Sequence, residues 1–238
     1  MSKICVVVPT YNEAENLPRL IDEVEKALRG FDFSLLVVDD NSPDGTAQVA
    51  ADLNKIHKNL IVRTRTKKNG LGSALSYGLR TALAMKDVDR IVTLDADLSH
   101  NPSDIPKLLQ AEDAGIVQGS RYVENGAVVG WSLKRRLISC VANLLCKLLL
   151  RTSIHDCTGN FRVYSRDCAE TIVNSTISKG FEWVVEAMFV AKRHGFGVEE
   201  VPITFVDRKE GKTKLKAIEV AGWAAFALKS LLCAGYPA

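Results

Sequence analysis

The sequence predicts an α/β fold: a mostly parallel sheet flanked by helices, followed by a C-terminal helical part. Short apolar runs of β-type residues alternate with amphipathic helical patterns through the first half of the chain. This alternation favours parallel strands with helices on both faces. The chain has 238 residues, of which 47% are hydrophobic, so it can bury one good-sized core. We therefore expect a single domain spanning residues 1–238.

The first half is expected to begin with a strand and then to alternate. Leu17, Leu20, Ile21, Val24 and Leu28 fall on one face of a helical pattern, which justifies the first helix. The expected strands are residues 3–8, 34–38, 60–64, 91–94 and 115–118. The expected helices are residues 14–28, 46–56, 71–85 and 104–113.

After residue 130 the pattern becomes more helical. Residues 133–150 predict a long helix that is basic at both ends and carries an apolar stripe formed by Leu133, Leu137, Val141, Leu144 and Leu148. Such a helix fits a lipid interface, with Trp131 and Trp223 as anchors, and it fits an ordinary core helix equally well. Beyond it we expect an irregular stretch at 155–165, helices at 166–174 and 182–194, strands at 198–201 and 203–206, a basic loop at 207–216 and a last helix of about 18 residues.

Composition and cysteine usage indicate which ligands, which redox compartment and which kind of membrane contact to expect for this chain. The formal net charge of +3 implies no bulk binding of a polyanion such as a nucleic acid. Six cysteines without a CxxC pair favour reduced thiols and a cytosolic compartment over a disulfide framework. We see no signal-peptide pattern and no apolar run near the roughly 20 residues that a spanning helix needs, so any membrane contact is expected to be peripheral.

Two of the expected strands end in acidic residues: strand 34–38 is followed by Asp39 and Asp40, and strand 91–94 by Asp95 and Asp97. Asp95 and Asp97 directly follow the apolar run 91–94, and a turn at the strand end lets both carboxylates face one ion. Carboxylate oxygens suit Mg²⁺ or Mn²⁺ carrying a diphosphate. The alternative is a pair of surface aspartates in a loop. Nearby His100 is a possible ligand, although a loop histidine is more often a polar surface residue.

Two further segments follow expected strands at the edge where parallel sheets bind ligands, and a glycine-rich stretch lies elsewhere in the same half of the chain. Residues 9–13 include Tyr11 as a stacking face for a base, or they form a turn in which Asn12 caps a helix. Asp40 is expected to bind a nucleotide and Asp44 to serve turn chemistry. The glycine-rich stretch 69–74 indicates either phosphate contact or close packing of a helix start.

Separated cationic clusters predict a second phosphate site if the fold unites them. They comprise Gly119–Arg121, Lys134–Arg136 together with Ser139, and Arg208–Lys216. Arginine pairs bidentately with phosphate and lysine acts as a point charge. The alternative for any one of them is a solvated basic surface.

These motifs, in this order, resemble glycosyltransferase family 2 enzymes of the GT-A fold, and among them those that transfer mannose to dolichyl or polyprenyl phosphate. The resemblance covers residues 4 to 216. It is carried by PTYNE (9–13), VVDDNSPDGT (37–46), NGLGSAL (69–75), LDADLSHNP (94–102), GSRY (119–122), WSLKRRLIS (131–139), TGNFRVY (158–164), EVPITF (200–205) and RKEGKTKL (208–215).

Position by position, the resemblance implies a role for each matching residue. The guanosine end of the donor would be held by Pro9, Tyr11, Glu13, Val38 and Asp40. The metal would be held by Asp95, Asp97 and Ser99, with the backbone of Ala96 touching the diphosphate. The acceptor phosphate would be held by Arg121, Arg135 and Ser139, and the donor diphosphate would be covered by Arg208 and Lys214. The catalytic residues would be Asp97, Arg121 and Arg135.

The resemblance also implies the reaction. That reaction would be a metal-dependent (Mg²⁺ or Mn²⁺) inverting transfer of mannose from GDP-mannose to dolichyl or polyprenyl phosphate. Residues 1–130 would bind the nucleotide sugar. Residues 131–238 would bind the acceptor at the cytoplasmic face of a membrane, either alone or with a membrane-anchoring partner subunit. The chain departs from the family pattern at Ser99, where a glutamine is common, and at Asn160, where a glycine is shifted.

Two other functions compete with this one. One is a family 2 transferase that uses UDP-glucose or UDP-GlcNAc and a hydroxyl acceptor, which would need a carboxylate base such as Glu182 or Asp156. The other is a non-catalytic GDP-binding subunit at a membrane surface. The intact pair Asp95 and Asp97 argues against a scaffold, because a scaffold needs no metal.

Overall fold

The computed structural model describes residues 3–111, 113–149 and 151–207. Its strands are β1 (Lys3–Thr10), β2 (Phe33–Asp39), β3 (Leu60–Thr64), β4 (Val88–Thr93), β5 (Ile116–Ser120), β6 (Ala127–Val129), β7 (Arg162–Ser165), β8 (Val198–Pro202) and β9 (Thr204–Val206). Its helices are α1 (Leu17–Ala27), α2 (Thr46–Leu53), α3 (Leu71–Leu83), α4 (Ile105–Leu109), α5 (Leu133–Leu149), α6 (Arg166–Ser175) and α7 (Glu182–Arg193). A 3₁₀ turn, Pro102–Asp104, precedes α4.

Seven of the strands form one twisted sheet in the order β3-β2-β1-β4-β7-β5-β8. Every pairing in it is parallel except the two made by β7, which runs antiparallel to β4 and β5. The short strands β6 and β9 pair separately. The carboxyl ends of β1, β2, β4 and β5 therefore lie at the same edge of the sheet as the amino end of β7.

Two apolar clusters cover the two faces of this sheet. One packs α3, α6 and α7 against side chains such as Val7, Val38 and Ile91. The other packs α1 and α4 against the alternate side chains, such as Val6, Val37 and Val92. Since the interior strands are apolar on both faces, they are covered by helices on both sides.

The expected alternation is confirmed, with two strands missed. The stretch 155–165, expected to be irregular, contains β7, and β6 was not expected. Strand β7 is only four residues long, which is too short to show a hydrophobic periodicity of its own. The expected helices at 46–56, 71–85 and 104–113 end earlier, at Leu53, Leu83 and Leu109.

Helix α5 presents its apolar stripe outward. The five side chains of the stripe are between 48% and 84% exposed, whereas Ala142, Asn143 and Cys146 face inward. The alternative of an ordinary core helix is therefore wrong for this stripe. Trp131, by contrast, packs edge-on against Phe205, with ring centroids 5.2 Å apart.

The glycine-rich start of α3 serves packing. The backbone N–H groups of Gly72 and Ser73 donate to the carbonyls of Gly180 and Lys179. A Cβ at Gly72 would lie 2.2 Å from the Cβ of Trp183, so only glycine fits there. The first N–H groups of this helix are thus used by protein carbonyls, which favours the packing interpretation over phosphate contact.

Candidate active site

The acidic pair lies where β4 ends. Asp97 Oδ1 accepts hydrogen bonds from the backbone N–H and the hydroxyl of Ser99, at 3.1 and 2.5 Å. Between them Leu98 adopts a left-handed conformation with φ of 58°, rare for a bulky side chain. The backbone N–H of Val206 donates to Ser99 O and ties the loop to β9. This turn directly follows Asp97 and fixes the position of its carboxylate.

Asp95 is partly open to solvent, with 36% of its side chain exposed. Its Oδ1 accepts a hydrogen bond from Asn160 Nδ2 at 3.0 Å. In the described ranges it forms no ion pair with a lysine or arginine; Nδ1 of the His100 ring lies 3.8 Å from Asp95 Oδ2. An ionised carboxylate without a basic partner fits a divalent cation.

His100 lies behind the acidic pair and is buried, so the expectation of a surface histidine is wrong. Its ring contacts those of Phe161 and Phe205, with centroids 5.2 and 5.3 Å away. Burial lowers the pKa of His100 despite the nearby charges of Asp95 and Asp97. A neutral imidazole matches the geometry, in which Nδ1 faces the backbone N–H of Asp95 at 3.4 Å.

At the end of β2 the two aspartates have different roles. Asp39 is fully buried and accepts hydrogen bonds from Thr10 and from the backbone and hydroxyl of Ser42. Asp40 Oδ1 lies 2.9 Å from Arg65 Nη1, but the two atoms are not aligned as a hydrogen bond. Burial raises the pKa of Asp40, against the lowering effect of Arg65. Asp39 therefore builds the turn, and Asp40 retains a buried acceptor atom.

The other residues expected to bind the nucleotide lie in the same region as Asp40. Lys68 Nζ lies 3.7 Å from the centroid of the Tyr11 ring. Glu13 is held by a hydrogen bond from Asn16 Nδ2, and its backbone N–H donates to Thr46. Pro9 is paired in register with Val38, whose side chain is buried in the core. Val38 can thus meet a ligand only through its backbone.

The expected turn chemistry in this region is confirmed for one residue and wrong for another. Asp44 accepts hydrogen bonds from the backbone N–H and the hydroxyl of Thr46, two residues further on, as the aspartate of an Asx turn does. Asn12 does not cap a helix, because α1 begins at Leu17 after Asn16.

Arg121 follows β5 and forms a buried ion pair. Its Nε and Nη2 each lie 2.7 Å from an oxygen of Asp156, and Nη2 also donates to Thr158. Burial disfavours the charge of each partner, but the pairing outweighs burial: the pKa of Asp156 is lowered and that of Arg121 is raised. Such a carboxylate is a poor general base.

The other expected acceptor residues lie around the same arginine. Tyr122 donates a hydrogen bond of 2.7 Å from its hydroxyl to Ser139 Oγ on α5. The guanidinium carbons of Arg121 and Arg135 lie 5.4 and 4.2 Å from the centroid of the Trp131 ring. The fold therefore brings together the three residues that sequence reasoning assigned to the acceptor phosphate.

Arg135 has an acidic partner of its own. Its Nη1 lies 2.7 Å from Asp207 Oδ1, and the two side chains are 24% and 28% exposed. Arg208 and Lys214, expected to cover the donor diphosphate, lie outside the described residues, as do Cys233, Trp223 and the expected last helix. The five described cysteines are free thiols.

Sequence reasoning missed four residues of this site: Trp131 and Tyr122 as organisers, Asp156 as the partner of Arg121, and Asn160 as the partner of Asp95. Each lies within or beside a quoted motif, but their contacts depend on β7 and α5 docking at the sheet edge. Within residues 3–111, 113–149 and 151–207, no three or more His, Cys, Asp or Glu side chains are placed to hold a metal together, and no helix is both long and apolar enough to cross a membrane.

Residues 5–173 match the family model described as glycosyl transferase family 2. The chain belongs to glycosyltransferase family 2. As a family 2 enzyme it is 40% identical to polyprenol monophosphomannose synthase of Mycolicibacterium smegmatis, a match that covers 90% of this chain and 82% of the relative. It is 38% identical to undecaprenyl-phosphate mannosyltransferase of Micrococcus luteus, covering 90% of this chain and 87% of the relative.

Solved structures agree on the fold of this glycosyltransferase. Glucosyl-3-phosphoglycerate synthase from Mycobacterium tuberculosis, crystallised with Mn²⁺, uridine diphosphate and glucosyl-3-phosphoglycerate, superposes with a TM-score of 0.68 at 20% identity. The match covers 97% of this chain and 79% of that one. The Rossmann-like GT-A fold expected from the motifs is thus confirmed.

Proposed function

We propose that this family 2 enzyme transfers mannose, with inversion, from GDP-mannose to a dolichyl or polyprenyl phosphate. One observation carries the proposal: the Phe205 ring contacts both His100, which lies behind the acidic pair, and Arg121, which pairs with Asp156. The centroid of the Phe205 ring is 5.3 Å from that of the His100 ring and 5.5 Å from the guanidinium carbon of Arg121. A cation-binding half and an anion-binding half therefore adjoin each other. The names of the two relatives, both at or near 40% identity, agree with a lipid-phosphate acceptor.

The nucleotide half fits a base with N–H donors. Asp40 Oδ1 is buried and makes no aligned hydrogen bond, so it can accept one from the edge of a base. Guanine presents two adjacent N–H donors, which suits a carboxylate. We assign Tyr11 to stacking, and Pro9, Glu13 and the backbone of Val38 to the rim of the same pocket.

The diphosphate half centres on the carboxylates. We assign the cation to Asp95, Asp97 and Ser99, with the backbone of Ala96 beside the diphosphate. The donor set fits Mg²⁺ or Mn²⁺, since it offers hard oxygens and an open carboxylate without a basic partner. When bound, a divalent cation would act as a Lewis acid and neutralise charge on the leaving GDP. Arg208 and Lys214 are assigned to the same diphosphate from the sequence alone.

The acceptor half explains why no strong base is needed. A phosphate monoester has a second pKa of about 6, so its attacking oxygen is already largely ionised at neutral pH. That oxygen forms the new bond to the anomeric carbon as the bond to GDP breaks. Arg121, Arg135 and Ser139 hold the phosphate in line and offset its repulsion from the donor diphosphate.

The two candidate bases of the competing hydroxyl-acceptor function are engaged elsewhere. Asp156 is buried against Arg121, which keeps its pKa low. Glu182 Oε1 accepts a hydrogen bond from the backbone N–H of Gly180 at 2.9 Å. Both observations favour an acceptor that arrives already ionised.

The exposed stripe of α5 supplies the contact with the membrane. Its apolar side chains point away from the core, and Lys134, Arg136 and Arg151 flank it. A helix of this kind lies in the headgroup region of an anionic bilayer, with its basic residues toward the lipid phosphates. We propose that the enzyme docks peripherally through α5 at the cytoplasmic face of a membrane, beside the arginines that receive the acceptor.

A transfer assay with a panel of donors tests the proposal. We expect label to pass from GDP-mannose, and not from UDP-glucose or UDP-GlcNAc, to a short polyprenyl phosphate in the presence of Mg²⁺ or Mn²⁺. Asp97→Ala should abolish transfer, and Arg135→Ala should raise the KM for the lipid phosphate far more than the Kd for GDP. Transfer from a UDP-sugar alone, or GDP binding without any transfer, would reject the assignment.

A further inference from the structure

One buried amide at the acidic pair has no role in the function proposed above. Asn160 is only 4% exposed, and its Nδ2 donates to Asp95 Oδ1 at 3.0 Å. The other end of the amide, Oδ1, is buried without a hydrogen-bond partner. Buried polar atoms are rarely left unpartnered, so this oxygen requires an explanation.

The position of Asn160 follows from the antiparallel pairing of β4 and β7. Thr93 at the end of β4 is opposite Arg162 at the start of β7. Continuing this register two residues outward places Asp95 opposite Asn160. Only an antiparallel neighbour brings an amino-terminal flank to the carboxyl edge of β4, which is why sequence spacing did not reveal the pair.

The backbone at Asn160 is fixed, whereas its amide is held by a single bond. Thr93 Oγ1 donates to Asn160 O at 2.7 Å, and the N–H of the preceding Gly159 donates to the buried Asp156 carboxylate at 3.2 Å. The terminal torsion of an asparagine is broad and roughly two-fold. A half-turn of the amide would give up only the bond from Nδ2 to Asp95, since Oδ1 has no partner to lose.

The direction of the amide depends on what faces it. Opposite a bare carboxylate the N–H must point inward, because two oxygens would repel each other. Opposite a carboxylate that carries a cation, the preferred direction reverses, and an amide oxygen is among the ligands that Mg²⁺ and Mn²⁺ accept. We propose that Asn160 is a further metal ligand: its amide turns as the cation binds, and Oδ1 coordinates the ion held by Asp95.

This inference rests on the proposed metal site and adds a residue to it. The described ranges supply no third carboxylate, histidine or cysteine to the acidic pair, so additional oxygens must come from neutral groups and from the diphosphate. A neutral amide adds a ligand without adding charge. The competing explanation is that Asn160 only donates a hydrogen bond that orients Asp95.

Isosteric variants separate a ligand from a hydrogen-bond donor. Asn160→Leu removes both ends of the amide, and Asn160→Asp replaces the donor with a second oxygen. Thr93→Val is the control: it removes the hydrogen bond to the backbone of Asn160 and leaves the amide intact. The measurement is the Kd for Mn²⁺, followed by electron paramagnetic resonance of free Mn²⁺ with the full chain and saturating GDP.

If Asn160 is a ligand, Asn160→Leu should weaken Mn²⁺ binding about 10- to 100-fold, a loss typical of groups that support a metal site. Asn160→Asp should bind Mn²⁺ at least as tightly as the wild type, although without Mn²⁺ its thermal midpoint should fall because two carboxylates face each other. Thr93→Val should stay within about twofold of the wild type, and GDP affinity without metal should be unchanged throughout.

Three results would overturn the inference. Wild-type Mn²⁺ affinity in Asn160→Leu would show that the amide does not contribute. Weaker binding by Asn160→Asp than by Asn160→Leu would show that only the donor matters. A loss in Thr93→Val equal to that in Asn160→Leu would show that loop position sets the affinity. If instead the wild type binds no Mn²⁺ with GDP, the metal assignment of the proposed function fails with it, and this is a distinguishable result.

Discussion

Two arginine–aspartate ion pairs with the same N–O distance allow a direct test of how burial changes the contribution of an ion pair to the free energy of unfolding. Arg121–Asp156 and Arg135–Asp207 both have N–O distances of 2.7 Å. In the first pair the side chains are 7% and 0% exposed, and in the second they are 24% and 28% exposed. Replacing each aspartate by asparagine keeps the shape and removes the charge.

We expect Asp156→Asn to cost about 3–5 kcal/mol of unfolding free energy, because it leaves a buried guanidinium without a counter-charge. For a domain of this size that corresponds to a fall in thermal midpoint of about 6–20 °C. Asp207→Asn should cost at most about 1 kcal/mol, since water screens the partly exposed pair.

Urea unfolding followed by circular dichroism measures both values on one scale. Equal costs for the two variants, or a cost below about 1 kcal/mol for Asp156→Asn, would refute the reasoning from burial. Transfer activity gives a second readout. Asp156→Asn should reduce it by displacing Arg121, whereas Asp207→Asn should chiefly change the KM for the lipid phosphate.

Three further predictions follow from the same contacts. The pKa of Asp156 is lowered in the folded state, so ionised Asp156 stabilises the fold fully above the ordinary aspartate pKa of about 3.9. That stabilisation is lost as the pH falls through the folded-state pKa. The difference in unfolding free energy between wild type and Asp156→Asn, measured with urea, should therefore shrink below about pH 4. Gly72→Ala should lower the free energy of unfolding by about 1–3 kcal/mol in the same assay, because its Cβ would overlap Trp183. Gly197→Ala should be near neutral, because no atom lies within 4 Å of the added carbon. Equal values for the two variants would contradict the packing role of the start of α3. The double variant Leu137→Glu and Leu144→Glu should lower co-sedimentation with anionic lipid vesicles at least about 10-fold, since burying one leucine side chain contributes about 1.5–3 kcal/mol. The control Ile177→Glu changes a similarly exposed apolar residue away from α5 and should have no effect. Unchanged sedimentation of the double variant would exclude α5 as the membrane contact.

The parallel half of the fold could be predicted from the sequence alone, together with the sheet edge at which the acidic and basic segments meet. Strand–helix alternation is a local pattern, and the carboxyl ends of parallel strands meet at one edge, so Asp40, Asp95 and Arg121 could be placed there without coordinates. The apolar stripe of α5 could also be predicted from the sequence, but whether it faces the core or the solvent could not, because periodicity defines a face without defining what covers it.

Which side chains meet depends on long-range packing that the sequence pattern does not reveal. Strand β7 is four residues long and buried, so it has no periodic signal, yet its antiparallel insertion between β4 and β5 brings Asn160 to Asp95. The same loop brings Asp156 beneath Arg121 across 35 positions of sequence. These contacts join segments far apart along the chain, and their partners are fixed by strand register and burial, which local residue preferences do not encode.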